Sequence, residues 1–394
     1  MYWLIVPILD TVGLLLKEIL SLRITFFSDN IMPTFTRQIY KVIQPVLMFQ
    51  KDFSIKGSFW ENLITKYQNS SSGKSIWQLS NSFIPFLIIW GLMYLSLDVS
   101  YWLTLLLALP AAGFVVRIFI IQHDCGHGSF FKSKRANDFW GTVCSVFSLT
   151  PYHHWRKKHA IHHASAGKLE KRGIGDIYTM TVDEFLQQSR WGRLKYRLYR
   201  NPIILFIVIP IILFVILQRF PFPSSKSLKN LHPSVYFTTI VVLLITAVII
   251  YLIGWKDFLL VQFPITFIAS STGTWLFYVQ HQFEDTYWTN NNSWDYNLAA
   301  LQGSSYYKLP KVLQWFTGNI GFHHIHHLSP KIPNYHLEKC HKEIPEFQKS
   351  PVLTLRTSLR SIFLRLWDEK QKKLISFHQF KRIQLDPMRK IPQI

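Results

Sequence analysis

Histidine is the residue type through which this chain could do demanding chemistry, because its copies are gathered rather than scattered. Fourteen of the sixteen histidines fall within 123–163 or 281–341, and only His232 and His378 lie elsewhere. Three clusters stand out: His123-Asp-Cys-Gly-His127, His159-Ala-Ile-His162-His163 and His323-His-Ile-His326-His327. Each repeats at i, i+3 or i+4. On a helix, residues so spaced share one face, with Cβ atoms about 5–6 Å apart, so two rings can chelate one ion. His281 follows an apolar run directly and can reach the same place. The nine imidazoles exceed the four that a tetrahedral zinc takes. They suit two ions of five- or six-coordinate type, and imidazole alone does not choose among zinc, copper, iron and nickel.

A ligating ring needs an acceptor for its second N–H. Asp124, Asp176, Glu284, Asp285 and Asn319 lie near the clusters in sequence and are the candidates for that task. His153, His154, His324, His336 and His341 are set aside as solvated or supporting residues. Cys125 is left out of the ligand set because buried thiols are usually inert packing.

The elements that would carry these rings are apolar. The expected fold is an all-α integral membrane protein with four or more transmembrane helices and a cytosolic, histidine-rich di-metal cap. A mean hydropathy of +0.13 in a chain with 43 Lys and Arg predicts spans alternating with basic aqueous segments. Aromatic residues make up 16% of the sequence, as expected where Trp and Tyr anchor at bilayer interfaces. Apolar runs occupy 83–97, 99–121, 202–218, 235–254 and 258–280, and the last two approach the ~20 residues a span needs. The first two, joined at Asp98, read as a helical hairpin, with Arg117 snorkelling to the interface and carrying no function. Residues 139–149 are too short to cross and should rest in the membrane surface.

The aqueous segments 122–201 and 281–394 carry 14 and 16 Lys plus Arg. The positive-inside rule places both in the cytoplasm, in a multi-pass protein of the cell membrane. Two segments on one side need an even number of crossings between them, yet three apolar runs lie there. One must be re-entrant or lie in the interface, and the Pro210-containing run 202–218 is one candidate. The domain division is an N-terminal extension and linker, 1–74, then a membrane domain, 75–394. Met1–Leu22 is apolar but interrupted by Asp10, Lys17 and Glu18, and lacks the features of a signal peptide. Residues 69–74 (NSSSGK) read as a flexible linker.

The formal charge of +21 points to anionic lipid or an acidic protein partner, in part simply marking the cytoplasmic side. No nucleic-acid-binding signature is present. Three cysteines without a close pair argue against a disulfide framework.

Several stretches give the chain a family likeness: RIFIIQHDCGHGSFFKSKRAND (117–138), KRGIGDIYT (171–179), YRLYRNPI (196–203), WLFYVQHQFEDTYWT (275–289) and the long segment 303–342. With them the sequence from about Ser75 to Glu369 resembles the membrane fatty-acid desaturases, and more closely the bacterial acyl-lipid desaturases of the Bacillus Δ5 type. The resemblance implies a di-iron centre (two Fe ions) and O2 as oxidant. It implies electrons from ferredoxin or flavodoxin and, as substrate, the acyl chain of an intact membrane phospholipid. It carries His123, His127, His159, His162, His163, His281, His323, His326 and His327 over as metal ligands. Regiochemistry stays open among Δ5, Δ12 and Δ9. A hydroxylase on the same scaffold is the rival enzyme. A metal transporter is the rival of another class, but it should place its ligands at mid-membrane, within spans.

Overall fold

A computed structural model describes residues 57–173, 176–221 and 230–385. The expectations for Met1–Leu22 and the rest of the extension up to residue 56 lie outside the described residues.

Residues 57–74 do not behave as a linker. Helix α1 (Gly57–Ile64) buries Trp60 and Ile64, with Trp60 stacked on Phe347 at 5.4 Å. The Tyr67 hydroxyl donates to Glu343 Oε2 at 2.6 Å. Ser72-Gly73-Lys74 forms the first turn of helix α2 (Ser72–Ser96), so the expected boundary at 74 falls inside a helix. The polar stretch is ordered by contacts distant in sequence: the Tyr335 hydroxyl takes the Ser71 N–H at 2.8 Å, and Ser75 Oγ donates to the Phe130 carbonyl at 2.5 Å.

The expected hairpin forms. Helix α3 (Tyr101–His127) returns antiparallel to α2, and Ser96 Oγ meets Thr104 Oγ1 at 2.7 Å beside the turn. Among the long apolar helices α3 is the most covered, with 56% of its apolar window buried. Ala108, Ala111 and Ala112 are almost wholly buried and let neighbouring backbones approach, as small residues do between membrane helices. Helix α3 runs six residues beyond its apolar run and carries the first histidine cluster on its last turn. It stops at Gly128, whose left-handed φ of 70° lets its N–H cap the Asp124 and Cys125 carbonyls.

Helices α4 (Lys134–Phe147) and α5 (Tyr152–Ser165) follow. Helix α4 starts beside the first cluster and ends beside it, since Ser148 Oγ donates to Gln122 Oε1 at 2.6 Å, so it does not cross. Its exposed Phe139 and its Trp140 and Phe147, packed on Phe83 of α2, fit a helix lying at the membrane surface. The amphipathic helix α6 (Arg190–Tyr199) exposes Trp191, Leu194 and Leu198 between basic residues, a composition suited to the interface. Helices α7 (His232–Ile253) and α8 (Trp255–His281) form a second hairpin, turning at Gly254 with φ 83°.

The broken segment Ile204–Arg219, two π-helical stretches around Pro210, is bent by 56° from α6 and bears on the parity problem. Its entrance is tied to the histidine end of α8, because Arg200 bonds Tyr278 and Gln282. Its exit is tied to the same side, because Arg219 donates to the Leu149 carbonyl between α4 and α5. Helix α7 starts on that side too, with Ser234 Oγ accepting from the His153 N–H at 3.2 Å and Thr238 beside Ser145. With both ends tied to the histidine side, run 202–218 fits a re-entrant path. Four helices, α2, α3, α7 and α8, are long and apolar enough to cross, and the histidine clusters come together at one end of them.

The expected all-α class is supplemented by two small sheets in the cap. Strand β1 (Tyr306–Lys308) pairs in parallel with β2 (Val352–Thr354). Strand β3 (Leu364–Asp368) pairs antiparallel with β4 (Lys373–Ser376). Short helices α9 (His323–Leu328) and α10 (Asn334–Glu343) lie between β1 and β2 in sequence, inside the connection of the first sheet.

This topology is checked by impermeant thiol labelling. Cysteines introduced at Lys195 and Asn230 should label from one face of sealed vesicles, and one at Lys256 from the opposite face. Labelling of Lys195→Cys and Asn230→Cys from different faces would mean that 204–219 crosses.

Candidate metal centre

Four elements bring nine rings together. Helix α3 supplies His123 and His127, α5 supplies His159, His162 and His163, α8 ends on His281, and α9 supplies His323, His326 and His327. The rings form two sets, within each of which one ligand atom per residue lies within 4.8 Å of the others: His123, His127, His159, His163 and His326 in one, and His162, His281, His323 and His327 in the other. Successive residues on a helix point about 100° apart, so each adjacent pair is divided between the sets. His163 and His326 face the first, His162 and His327 the second. The sets share a wall, with the His163 and His327 rings stacked at 4.1 Å.

The spacing tests whether ions fit. His159 and His163, and His163 and His326, approach Nε2 to Nε2 at 3.1 and 3.0 Å. In the second set His162–His281 and His281–His323 do so at 3.2 and 3.0 Å. Two ligands about 2.1 Å from one ion are about 3.0 Å apart at a right angle and about 3.4 Å at a tetrahedral angle. The distances therefore match five- or six-coordination. The Nε2 atoms of His127 and His327 are buried without a hydrogen-bond partner, one in each set. A buried polar atom demands an explanation of that kind.

Electrostatics agree. Burial pushes His159, His162, His163, His323, His326 and His327 well below the ordinary imidazole value, and mutual repulsion among the rings adds to the shift. The rings are thus neutral, the form in which imidazole ligates.

Of the expected acceptors, Asp124 fills the role. Its Oδ1 meets His123 Nδ1 at 3.1 Å, and its Oδ2 accepts the Asn334 backbone and side-chain N–H groups at 2.6 and 2.8 Å. His281 instead places Nδ1 3.1 Å from the Gly303 carbonyl. Three expectations are corrected. Glu284 is exposed and pairs with Lys373 at 3.6 Å, and Asp285 is exposed as well. Asn319 bonds Gln314 and Asn334, not a box histidine. The backbone turns at Gln282, which is no longer helical (φ −110°, ψ 77°), and residues 284–285 follow at the surface. Asp176 accepts the Gly173 N–H and lines a small pocket with His162 and His281, where burial raises its carboxyl to about 6.

The histidines set aside stay outside both sets, but His154 and His324 are buried rather than solvated, His324 packing against His341 and Phe347. Cys125 is buried outside both sets, and its carbonyl accepts the Tyr152 hydroxyl at 2.8 Å. Arg117 does not snorkel. It is 6% exposed, bonds Ser82 Oγ at 3.1 Å and the Trp315 carbonyl, and lies 3.9 Å over the Trp315 ring. It pins the histidine end of α3 to the segment before the third cluster.

Sequence reasoning also missed Arg200, which is fully buried. Its guanidinium reaches the Tyr178 and Leu364 carbonyls, Thr179 Oγ1, Tyr278 and Gln282. A buried cation must be compensated by hydrogen bonds, and these join the end of α6 to the last turn of α8. Their only sequence signal was an Arg at the mouth of an apolar run.

Buried rings converging from spans that end on one side define a membrane metalloenzyme site. The pattern of the fatty acid desaturase family matches residues 100–358, and the chain belongs to that family. It is 50% identical to a fatty acid desaturase of Bacillus subtilis (strain 168) over 81% of this chain and 90% of that protein. It is 27% identical to a sn-1 oleoyl-lipid 12-desaturase of Anabaena variabilis, over 65% and 73% of the two chains. Identity to a sn-1 acyl-lipid omega-3 desaturase (ferredoxin) of Synechocystis sp. is also 27%, over 58% and 63%. The protein is a membrane oxidoreductase of the desaturase class.

Two measurements check this site. In the unfolded chain, imidazoles bind protons below their ordinary value of 6.5, whereas the buried rings bind them only at much lower pH. The unfolded state then holds more protons, so stability falls as pH drops below 6.5. The thermal midpoint of metal-free protein in detergent should fall steadily below that pH, and a flat profile would contradict the burial of neutral rings. The second concerns Gly141, where a Cβ would collide with the Tyr152 ring at the start of α5. Gly141→Ala should cost about 1–3 kcal/mol, read as a lower thermal midpoint.

Proposed function

We propose that the protein is an acyl-lipid desaturase that introduces a cis double bond into the acyl chains of membrane phospholipid. O2 is the oxidant and reduced ferredoxin or flavodoxin the electron donor. The observation that carries this reading is the division of nine imidazoles, eight of them buried, into two touching sets. In this reading, His123, His127, His159, His163 and His326 hold one iron, and His162, His281, His323 and His327 the other. The regiochemistry we assign is Δ5, on resemblance, with Δ12 and Δ9 as the alternative outcomes of the test below.

The reaction dictates such a site. A methylene of a saturated chain has no acidic proton and no leaving group, so side-chain acids and bases cannot attack it. The two ions, when bound, supply the O2 activation that removes hydrogen from unactivated carbon. Overall, –CH2–CH2– with O2, two electrons and two protons gives –CH=CH– and two waters. The chain's own residues do the rest. The imidazoles present neutral nitrogens, Asp124 fixes the His123 ring through Nδ1, and the Gly303 carbonyl orients His281. Arg117 and Arg200 hold α3 and α8 in register with the cap. Water is kept from the rings, of which eight of the nine are buried.

The positive-inside rule supports a cytoplasmic location for the cap in the cell membrane. The charge of +21 suits an anionic headgroup and an acidic electron donor.

Expression in a host that lacks the double bond, followed by chromatography of derivatised acyl chains, reads reaction type and position together. A new alkene is expected; new hydroxy acids without alkene would identify a hydroxylase instead. His162→Ala and His326→Ala, one from each set, should each abolish product and lower bound iron. Undiminished product from either would remove that ring from the ligand set.

A further inference from the structure

The two histidine sets are unequal, five rings against four. The smaller set lies beside a small pocket. His162 and His281 form one wall of a small pocket whose other lining includes Phe277, Tyr278, Gln282 and Asp176. Two of its polar groups are committed elsewhere. The Tyr278 hydroxyl donates to the Ser361 carbonyl at 2.7 Å, and Gln282 Oε1 accepts from Arg200 at 3.2 Å and from Thr179 at 3.3 Å. Asp176 is the acidic side chain of the pocket. One of its oxygens accepts the Gly173 N–H.

Charge balance makes the same distinction. Two divalent ions held by neutral rings would place four positive charges in a dry site, which needs nearby anions. The five-ring set has one, since Asp124 touches His123. In the four-ring set, His281 meets only a backbone carbonyl, and His323 Nδ1 is buried without a partner. No carboxylate among the described residues stands behind these rings. Asp176 lines the pocket together with two of them, His162 and His281.

We propose that Asp176 completes the four-ring site, its carboxylate, which lies outside the converging set of ring atoms, holding through one water the ion bound by His162, His281, His323 and His327. It takes the position that His123, His127, His159, His163 and His326 fill with a fifth imidazole in the other set. The inference rests on the two-ion reading above. It deepens that reading by making the two ions chemically distinct, one in an all-nitrogen shell and one with oxygen facing the pocket.

The test measures metal binding rather than turnover. Purified full-length protein, loaded with ferrous iron, is analysed for ions per chain and titrated with a competing chelator. Wild type should hold two ions. Asp176→Asn should raise the dissociation constant of one ion by about tenfold or more and leave the other unchanged, while Asp176→Glu restores binding. Combination assigns the ion: Asp176→Asn added to His327→Ala should cost nothing further, whereas added to His127→Ala it should remove both ions. Thermal midpoints of the metal-free variants serve as the folding control, and Asp176→Glu stands in if the Asn variant fails it. Wild-type affinity for both ions in Asp176→Asn, or loss of the ion of the five-ring set, overturns the proposal. Fewer than two ions in wild type overturns the two-ion reading itself.

Discussion

Nitrogen lone pairs that face one another 3 Å apart in a dry site are the constraint to which the rest of the structure answers. Neutral imidazoles gathered in this way repel through their acceptor atoms unless a proton or a cation lies between them, and burial makes the proton unfavourable. The site can be assembled only if surrounding structure holds the rings together against that repulsion. Membrane helices suit the task, because their own backbone hydrogen bonds are satisfied internally and their packing does not depend on the metal. The buried core that includes Ile118, Ile121, Cys125 and Tyr152 is built from the same helices, α3 and α5, that carry four rings of the first set.

The supports at the cap are correspondingly polar. Asp124 is shared between a histidine and Asn334, which couples α3 to α10, and Tyr152 ties α5 to the Cys125 carbonyl. Arg117 and Arg200 perform the same task at the two sides of the site, each as a buried cation surrounded by oxygen or aromatic faces. These contacts join segments far apart in sequence. Removal of one should therefore be felt at rings it does not touch.

Much of the site was legible because helical periodicity is local. The i, i+3, i+4 spacing of 159–163 and 323–327 places rings on adjacent faces whatever the tertiary fold, and the apolar runs fix where those helices leave the bilayer. Asp124 was legible for the same reason, being next to its histidine. Glu284 and Asp285 were not, because proximity along the chain ends where the helix ends, and the turn at Gln282 sends them outward. Arg117 looked like an interfacial residue since nothing in its neighbourhood announces that residues 311–316 fold over it. The path of 204–219 was left open by a composition that is apolar as far as Leu217. The anchoring of both its ends to the histidine side is what favours a re-entrant path.

Segment 204–219 is bonded at both ends to the parts of the chain that carry rings. Arg200, just before it, holds Tyr278, three residues ahead of His281, and Arg219, at its end, holds Leu149, beside the Ser148 that grips Gln122 next to His123. One irregular helix thus acts as a tie-bar between the two histidine sets, and a strain on it would be shared by both.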